Sequence, residues 1–286
     1  MQQCKRIDEL RAAIRVKRHA GQHIVLVPTM GNLHDGHISL VRKARALSDF
    51  VVVSIFVNPL QFGANEDLEN YPNTLEEDQA KLQREGVSLL FLPKVSEMYP
   101  NGQEGLTSVQ VPGLNSMLCG ASRPVHFDGV TTVVNKLFNI VQPDSAVFGE
   151  KDFQQMFIIR KMVTDLSLPV KIIGAPTMRE KDGLAMSSRN SYLTEEQRAI
   201  APAFARVLQD TKDKCSGHQL DPVLFEQAEQ QAITVLGEIG FDVDYVQIRD
   251  ALTLLPVNEA SSELVLLAAA SLGETRLIDN ITFKVD

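Results

Sequence analysis

The segment Phe50-Val51-Val52-Val53-Ser54-Ile55-Phe56-Val57 restricts the fold more than any other, because it is apolar at nearly every position. A strand with one wet face alternates polar and apolar residues. One that is apolar throughout is covered on both sides, as an inner strand of a parallel sheet is. Shorter runs of the same kind lie at 23–27, Ser88 to Leu92, Ser145 to Phe148 and Val170 to Ile173. Between them, apolar residues recur at helical spacing: in Ile7 to Ala20, closed by Gly21; in Ile38 to Leu47; and after Thr74, which forms a capping box with Glu77 and opens a helix to Glu85. Two more helices are predicted over Val130 to Val141 and Phe153 to Leu168, and Thr107 to Val111 reads as an edge strand beyond a turn at Tyr99-Pro100-Asn101-Gly102. Five strands alternating with helices predict an α/β domain of Rossmann-like, doubly wound type, with ligands at the carboxyl ends of its strands.

After residue 175 the rhythm changes. Pro176 and the polar run Arg179-Glu180-Lys181-Asp182-Gly183 read as a hinge or linker. A helix is predicted from Thr194, capped reciprocally with Gln197, and another from Asp221-Pro222. Strand-like runs follow at Val243 to Arg249, Glu263 to Ala270 and Arg276 to Phe283. The expected organisation is therefore a first domain over 1–175 and a smaller α+β domain over 176–286.

Charge and composition narrow the function. Lys and Arg number 28 against 36 Asp and Glu, a net charge of -8, so a nucleic-acid or anionic-membrane partner is not expected. Cys4, Cys119 and Cys215 show no C-x-x-C spacing and suit a reducing cytoplasm. The polar start from Gln2 to Arg18 carries no apolar leader, and no apolar run approaches the ~18 residues of a membrane span.

The chemistry concentrates after the first strand, in Pro28-Thr29-Met30-Gly31-Asn32-Leu33-His34-Asp35-Gly36-His37. A glycine-bearing turn into a helix that opens with two histidines points backbone N–H groups and imidazoles at an anion. No Gly-Lys dipeptide occurs, which excludes a Walker A loop, and no G-x-G-x-x-G follows the strand. His34 and His37 could ligate zinc, but no third ligand or H-E-x-x-H pattern accompanies them, so phosphate binding is the expectation. Further on, Met186-Ser187-Ser188-Arg189-Asn190 offers two hydroxyls and a guanidinium, the second signature of nucleotidyltransferases that carry H-x-G-H.

With these two elements stand Ser54-Ile55-Phe56-Val57-Asn58-Pro59-x-Gln61-Phe62 and Phe148-Gly149-Glu150-Lys151-Asp152-x-Gln154-Gln155. The four in order, with Gln247-Ile248-Arg249-Asp250 and Arg276-Leu277-Ile278-Asp279-Asn280 beyond them, resemble the pantothenate synthetase family, the pantoate–β-alanine ligases. The resemblance implies an ATP-dependent ligase working through pantoyl adenylate, with release of pyrophosphate and then AMP. His34, His37, Lys151, Ser187, Ser188 and Arg189 would be its catalytic phosphate donors. Pro28, Met30, Gly149, Asp152 and Met186 would complete the ATP site, Asp152 on the ribose. Asn58, Gln61 and Gln155 would read pantoate, with Met30 on its gem-dimethyl centre.

The same resemblance implies magnesium carried by the ATP phosphates, a lid formed by the start of the second domain, and a homodimer through the first. The chain departs from the pattern at Cys119, where relatives carry Glu. Cys119 and Arg123 mark a loop for the second substrate, with the charge there altered. His126 fits either a supporting site role or a structural one. Two competing classes stay open: an adenylyltransferase that yields a dinucleotide, and a nucleotide-sensing or tRNA-binding module without catalysis.

Overall fold

A computed structural model describes residues 1–63, 68, 71, 72, 74–217 and 220–285. The chain divides into two compact units, Met1–Pro176 and Thr177–Asp286. The first contains β1 (Gln2–Cys4), α1 (Ile7–His19), β2 (Ile24–Thr29), α2 (Asp35–Leu47), β3 (Phe50–Ile55), α3 (Leu75–Arg84), β4 (Leu89–Phe91), α4 (Val95–Met98), α5 (Cys119–Ser122), α6 (His126–Val141), β5 (Ser145–Gly149), α7 (Phe153–Asp165) and β6 (Lys171–Ala175). Its sheet has the order β1-β4-β3-β2-β5-β6 and every pair is parallel. From β2 the chain steps outward through β3 to β4, then returns to the other side of β2 with β5. The order thus reverses between β2 and β5, and a doubly wound sheet opens its ligand crevice at such a switch.

The inner strands owe their place to apolar character on both faces. Val25, Val27, Val51, Val53, Leu90 and Val147 are buried against Leu40, Val41 and Ala44 of α2 and Leu82 of α3. Each fully buried Val or Leu contributes about 1.5–3 kcal/mol. The edge strand β1 escapes a hydrophobic reading because Gln2 and Gln3 are exposed and only Cys4 points inward.

Three local expectations are corrected. Thr107 to Val111 forms no strand, because Val109 satisfies its backbone on a helix instead: its N–H donates to Thr132 Oγ1 at 2.9 Å and its carbonyl accepts from Thr131 Oγ1 at 2.5 Å. Thr74 precedes α3 without capping it, since its hydroxyl donates to Asp78 Oδ1 at 3.2 Å. The run Arg179 to Gly183 is a closed turn, with Arg179 bridged to Ala185 and Arg179 paired to Asp279 at 2.6 Å.

The second unit contains α8 (Glu195–Ile200), α9 (Pro202–Cys215), α10 (Pro222–Ile239) and an antiparallel sheet of β7 (Asp242–Asp250), β8 (Glu263–Leu272) and β9 (Thr275–Lys284). Thr194 and Gln197 form the reciprocal cap, and Asp221 caps α10 through the N–H groups of Val223 and Leu224. Pro202 has no N–H to continue the ladder of α8, so α9 starts there. Phe204, Leu208, Phe225, Leu236, Val246 and Leu264 lie in the core of this unit. Cys4, Cys119 and Cys215 are buried and none of them is in a disulfide. Among the described residues no helix is long and apolar enough to cross a membrane.

One packing contact positions a functional loop. The turn after β3 contains a 3-10 helix, Pro59–Gln61, and α6 approaches it so closely that a Cβ on Gly129 would lie 2.3 Å from the Leu60 carbonyl oxygen. Alanine is the better helix former by about 0.8–1 kcal/mol, but overpacking costs about 1–3 kcal/mol, so the clash wins. Gly129→Ala is therefore expected to lower the unfolding free energy in urea; an unchanged or higher value contradicts this packing.

Candidate active site

The loops that leave the carboxyl ends of β2, β3 and β5 carry most of the residues singled out by sequence. β2 lies between the other two strands, with Thr29 level with Ile55 on one side and Leu26 level with Ala146 on the other. Pro28 is the penultimate residue of β2 and Met30, His34 and His37 follow it, Asn58 and Gln61 follow β3, and Gly149 ends β5, with Lys151, Asp152 and Gln155 after it. The structure brings these ten together at the switch point of the sheet.

His34 is the N-cap of α2, and its Nδ1 accepts from the Gly36 N–H at 3.1 Å. His37 Nδ1 accepts from the His34 backbone N–H at 3.3 Å, and the two rings lie 4.1 Å apart between centroids. A backbone N–H can only donate, so each neutral ring carries its proton on Nε2. Burial lowers the pKa of His34 to about 4, with the Lys151 charge adding to the effect. Burial, then His34 and Lys151, lowers that of His37 to about 3. At neutral pH the pair therefore presents two Nε2–H donors beside the ammonium of Lys151. That arrangement suits a polyanion better than it suits proton transfer.

The turn that delivers these imidazoles is held by a residue the sequence reading missed. Asp78 on α3 is 1% exposed. Its Oδ2 accepts from the Asn32 N–H and its Oδ1 from the Leu33 N–H, both at 2.8 Å. Lys81 Nζ donates to the Leu33 carbonyl at 2.6 Å, one turn further along the same helix. Gly31 is required here. Its φ is +88°, and a Cβ would meet Ile55 Cγ2 at 3.1 Å and Asp78 Oδ2 at 3.2 Å. The available signal was an acid on the buried face of a helix otherwise rich in exposed charge.

The loop after β3 is built around Asn58, which is 1% exposed. Its Nδ2 donates to Gln61 Oε1 and to the Gly129 carbonyl, each at 3.1 Å. Its Oδ1 accepts from Tyr99 Oη at 2.7 Å and from the Leu60 N–H at 3.4 Å. Gln61 Nε2 donates to Met30 Sδ at 3.2 Å, joining the loops after β2 and β3. His126 Nδ1 donates to the Gln61 carbonyl at 3.0 Å, which gives this histidine a role in positioning the loop.

At the start of α7 the adjacent glutamines differ. Gln154 is 4% exposed, and its Nε2 donates to the carbonyls of Leu114 and Met117 at 2.9 and 2.7 Å. Its Oε1 accepts from the Cys119 N–H at 3.1 Å. Gln154 thereby pins the segment that bears Cys119, while Gln155 is only partly buried beside the site. Cys119 is 8% exposed at the first position of α5, and Arg123 is the partly buried residue that ends this short helix. Among the described residues no group of three or more His, Cys, Asp or Glu side chains is placed to hold a metal ion.

Met186, Ser187, Ser188 and Arg189 belong to the second unit and are partly buried there. The Met186 N–H donates to the Met178 carbonyl at 2.9 Å, and Ser187 Oγ accepts from the Arg189 N–H at 3.3 Å, opening a 3-10 turn over Ser188–Tyr192. Asn190 Nδ2 donates to the Ala185 carbonyl at 3.0 Å. The Arg179–Asp279 pair, with the Asp279 side chain only 1% exposed, anchors the chain just upstream.

A parallel, doubly wound sheet with an H-x-G-H imidazole pair at its switch point defines a nucleotide-handling enzyme class. Residues 2–282 match the model of the pantoate-beta-alanine ligase family, and the chain belongs to that family. A pantothenate synthetase of Stutzerimonas stutzeri (strain A1501) is 57% identical over 278 residues, covering 97% of this chain and 96% of the relative. One from Pseudomonas aeruginosa (strain UCBPP-PA14) is 54% identical over the full length of both. Among solved structures, pantothenate synthetase from Thermus thermophilus superposes with a TM-score of 0.88 at 45% identity, covering 98% of this chain and 99% of the other. Pantoate-beta-alanine ligase from Francisella tularensis, complexed with beta-gamma ATP and beta-alanine, gives 0.79 at 35% identity, covering 98% and 97%.

Two measurements check the local geometry. By histidine-detected NMR, both imidazoles are expected to be neutral Nε2–H tautomers at pH 6 and to titrate near 4 and 3. A midpoint near 6.5 for either ring contradicts the assignment. Since the folded values lie below the unfolded one, the unfolded chain binds more protons in this range. The pair's contribution to stability is thus complete above about pH 6.5 and is lost as the pH falls through about 4 and then 3. Secondly, Asp78→Asn sets an NH2 group against a backbone N–H in either orientation and is expected to cost about 1–3 kcal/mol in chemical unfolding. Wild-type stability in that variant refutes the role given to the carboxylate.

Proposed function

We infer that the chain is an ATP-dependent ligase that condenses pantoate with β-alanine to pantothenate through pantoyl adenylate. The observation that carries this reading is the neutral imidazole pair at the sheet's switch point, in a chain that matches the ligase family over 2–282. In the first step a pantoate carboxylate oxygen attacks the α-phosphorus of ATP, and the electron pair of the breaking P–O bond leaves with pyrophosphate. In the second, the amine nitrogen of β-alanine attacks the acyl carbon, the acyl C–O bond breaks and AMP departs. Negative charge builds on phosphate oxygens in both steps, and Nε2–H donors fixed beforehand stabilise it without reorganising.

His34, His37 and Lys151 are assigned to the phosphates, Pro28, Met30, Gly149 and Asp152 to the rest of the nucleotide, and Gln61 and Gln155 to pantoate, with Met30 against its apolar centre. Asn58 is assigned to the same subsite through its hold on Gln61. Cys119 and Arg123 stay with the second substrate's loop. Met186, Ser187, Ser188 and Arg189 are assigned to ATP, and to a closing lid, on the motif alone. Magnesium would arrive on the triphosphate, as the family resemblance implies. A homodimer and a cytoplasmic location complete the proposal; light scattering tests the first.

The imidazole pair is not the base for the amine, since each Nδ1 already accepts a hydrogen bond from a backbone N–H and each Nε2 is protonated. The reading is tested by incubating the protein with ATP, magnesium, pantoate and β-alanine. Amine-dependent AMP release is expected, whereas ADP as product, or AMP release indifferent to pantoate, overturns it. In the same assay His37→Ala is expected to lower turnover by about 10²–10³-fold. Near-normal turnover in that variant removes His37 from the phosphate site.

A further inference from the structure

The atoms around Asn58 leave its carboxamide no choice of orientation. The Gly129 carbonyl can only accept, so the group facing it at 3.1 Å is the NH2. The Leu60 N–H can only donate, so the other end is the oxygen. Tyr99 Oη, 2.7 Å from that oxygen, must then donate. Burial raises the Tyr99 phenol above its ordinary range, which keeps the proton in place. Both protons and both lone pairs of the Asn58 amide are thus used within the protein.

The constraint passes to Gln61. Asn58 Nδ2 lies 3.1 Å from Gln61 and can only donate, so the atom facing it is Oε1, and Nε2 is the opposite end, against Met30 Sδ. Two groups whose roles cannot be exchanged, a carbonyl on α6 and an N–H in the loop after β3, therefore decide which end of Gln61 is presented at the site.

We propose that Tyr99 and Asn58 are positioning residues that lock the Gln61 carboxamide with its NH2 toward the substrate, making Gln61 an obligate donor. It then reads a lone pair, a carboxylate or hydroxyl oxygen of the hydroxy acid, and disfavours an ammonium group. The amine substrate is kept out of the hydroxy-acid subsite by the same lock. The inference rests on the ligase reading for the identity of the hydroxy acid, but the lock itself does not.

Two experiments separate the lock from the function. In protein with 13C-methyl methionine and 15N glutamine, an NOE is expected between the Gln61 side-chain NH2 and the Met30 methyl. Its absence overturns the lock whatever the enzyme does. In the ligase assay, Tyr99→Phe is expected to raise the pantoate KM about tenfold, the loss of one buried hydrogen bond, with kcat and the ATP KM within about twofold.

The decisive step is a double-mutant cycle. If Tyr99 acts through Gln61, Tyr99→Phe adds nothing to Gln61→Ala, or to Gln61→Met should the alanine variant fold poorly. A further tenfold rise in the double variant, or a rise in the ATP KM equal to that for pantoate, overturns the proposal. An NOE in a protein that shows no pantoate-dependent AMP release keeps the lock and overturns the ligase reading instead.

Discussion

The ladder between β2 and β3, in register from Ile24 and Phe50 to Thr29 and Ile55, is the constraint on which the rest of the first unit depends. Both strands are apolar on both faces, so they must lie inside a sheet covered by helices. Parallel pairing then sends both chain exits to the same edge. β5 enters on the free side of β2 and contributes its loop at that edge as well. A ligand site formed from three separate stretches of sequence thus follows from burying the valines and leucines of the inner strands.

Hydrogen bonding finishes what burial begins. Loop backbone cannot be buried without partners, and here two side chains supply them: Asp78 for the turn after β2 and Asn58 for the turn after β3. Both are 1% exposed, and the hydrogen bonds that define them are internal to the protein. Their effect on a ligand passes through the residues they hold, the imidazoles in one case and Gln61 in the other. Electrostatics adds to this division. Although the chain is acidic overall, at -8, burial keeps His34 and His37 neutral, with the charges of Lys151 and Lys81 adding to it, so donors for an anion are set among two cations.

The parts legible in the sequence were those with short-range signatures. Strand runs, helical spacing and the caps at Thr194 and Asp221 were readable because each is decided within a few residues, as was the H-x-G-H turn. The parts played by Asp78, Tyr99, Gly129 and Gln154 were not, since each acts on a partner 30 or more positions away, which no local pattern records. The capping box at Thr74 had the right spacing, yet the carboxylate of Asp78, four residues on and held in place by its bonds to the turn after β2, took the hydroxyl. Asn58 shows a subtler limit: the motif marked the residue, but only coordinates reveal that its amide is already saturated. β1 was invisible because an edge strand of two exposed glutamines has no hydrophobic pattern.

We propose that the loops gathered at the switch point activate a carboxylate as an adenylate on preformed neutral donors. The exchange of labelled pyrophosphate into ATP measures that half-reaction alone. Exchange is expected that requires pantoate, needs no β-alanine and fades as the pH falls toward the low values at which the imidazoles become charged. Exchange without pantoate, or none in protein that binds both ATP and pantoate, would contradict it.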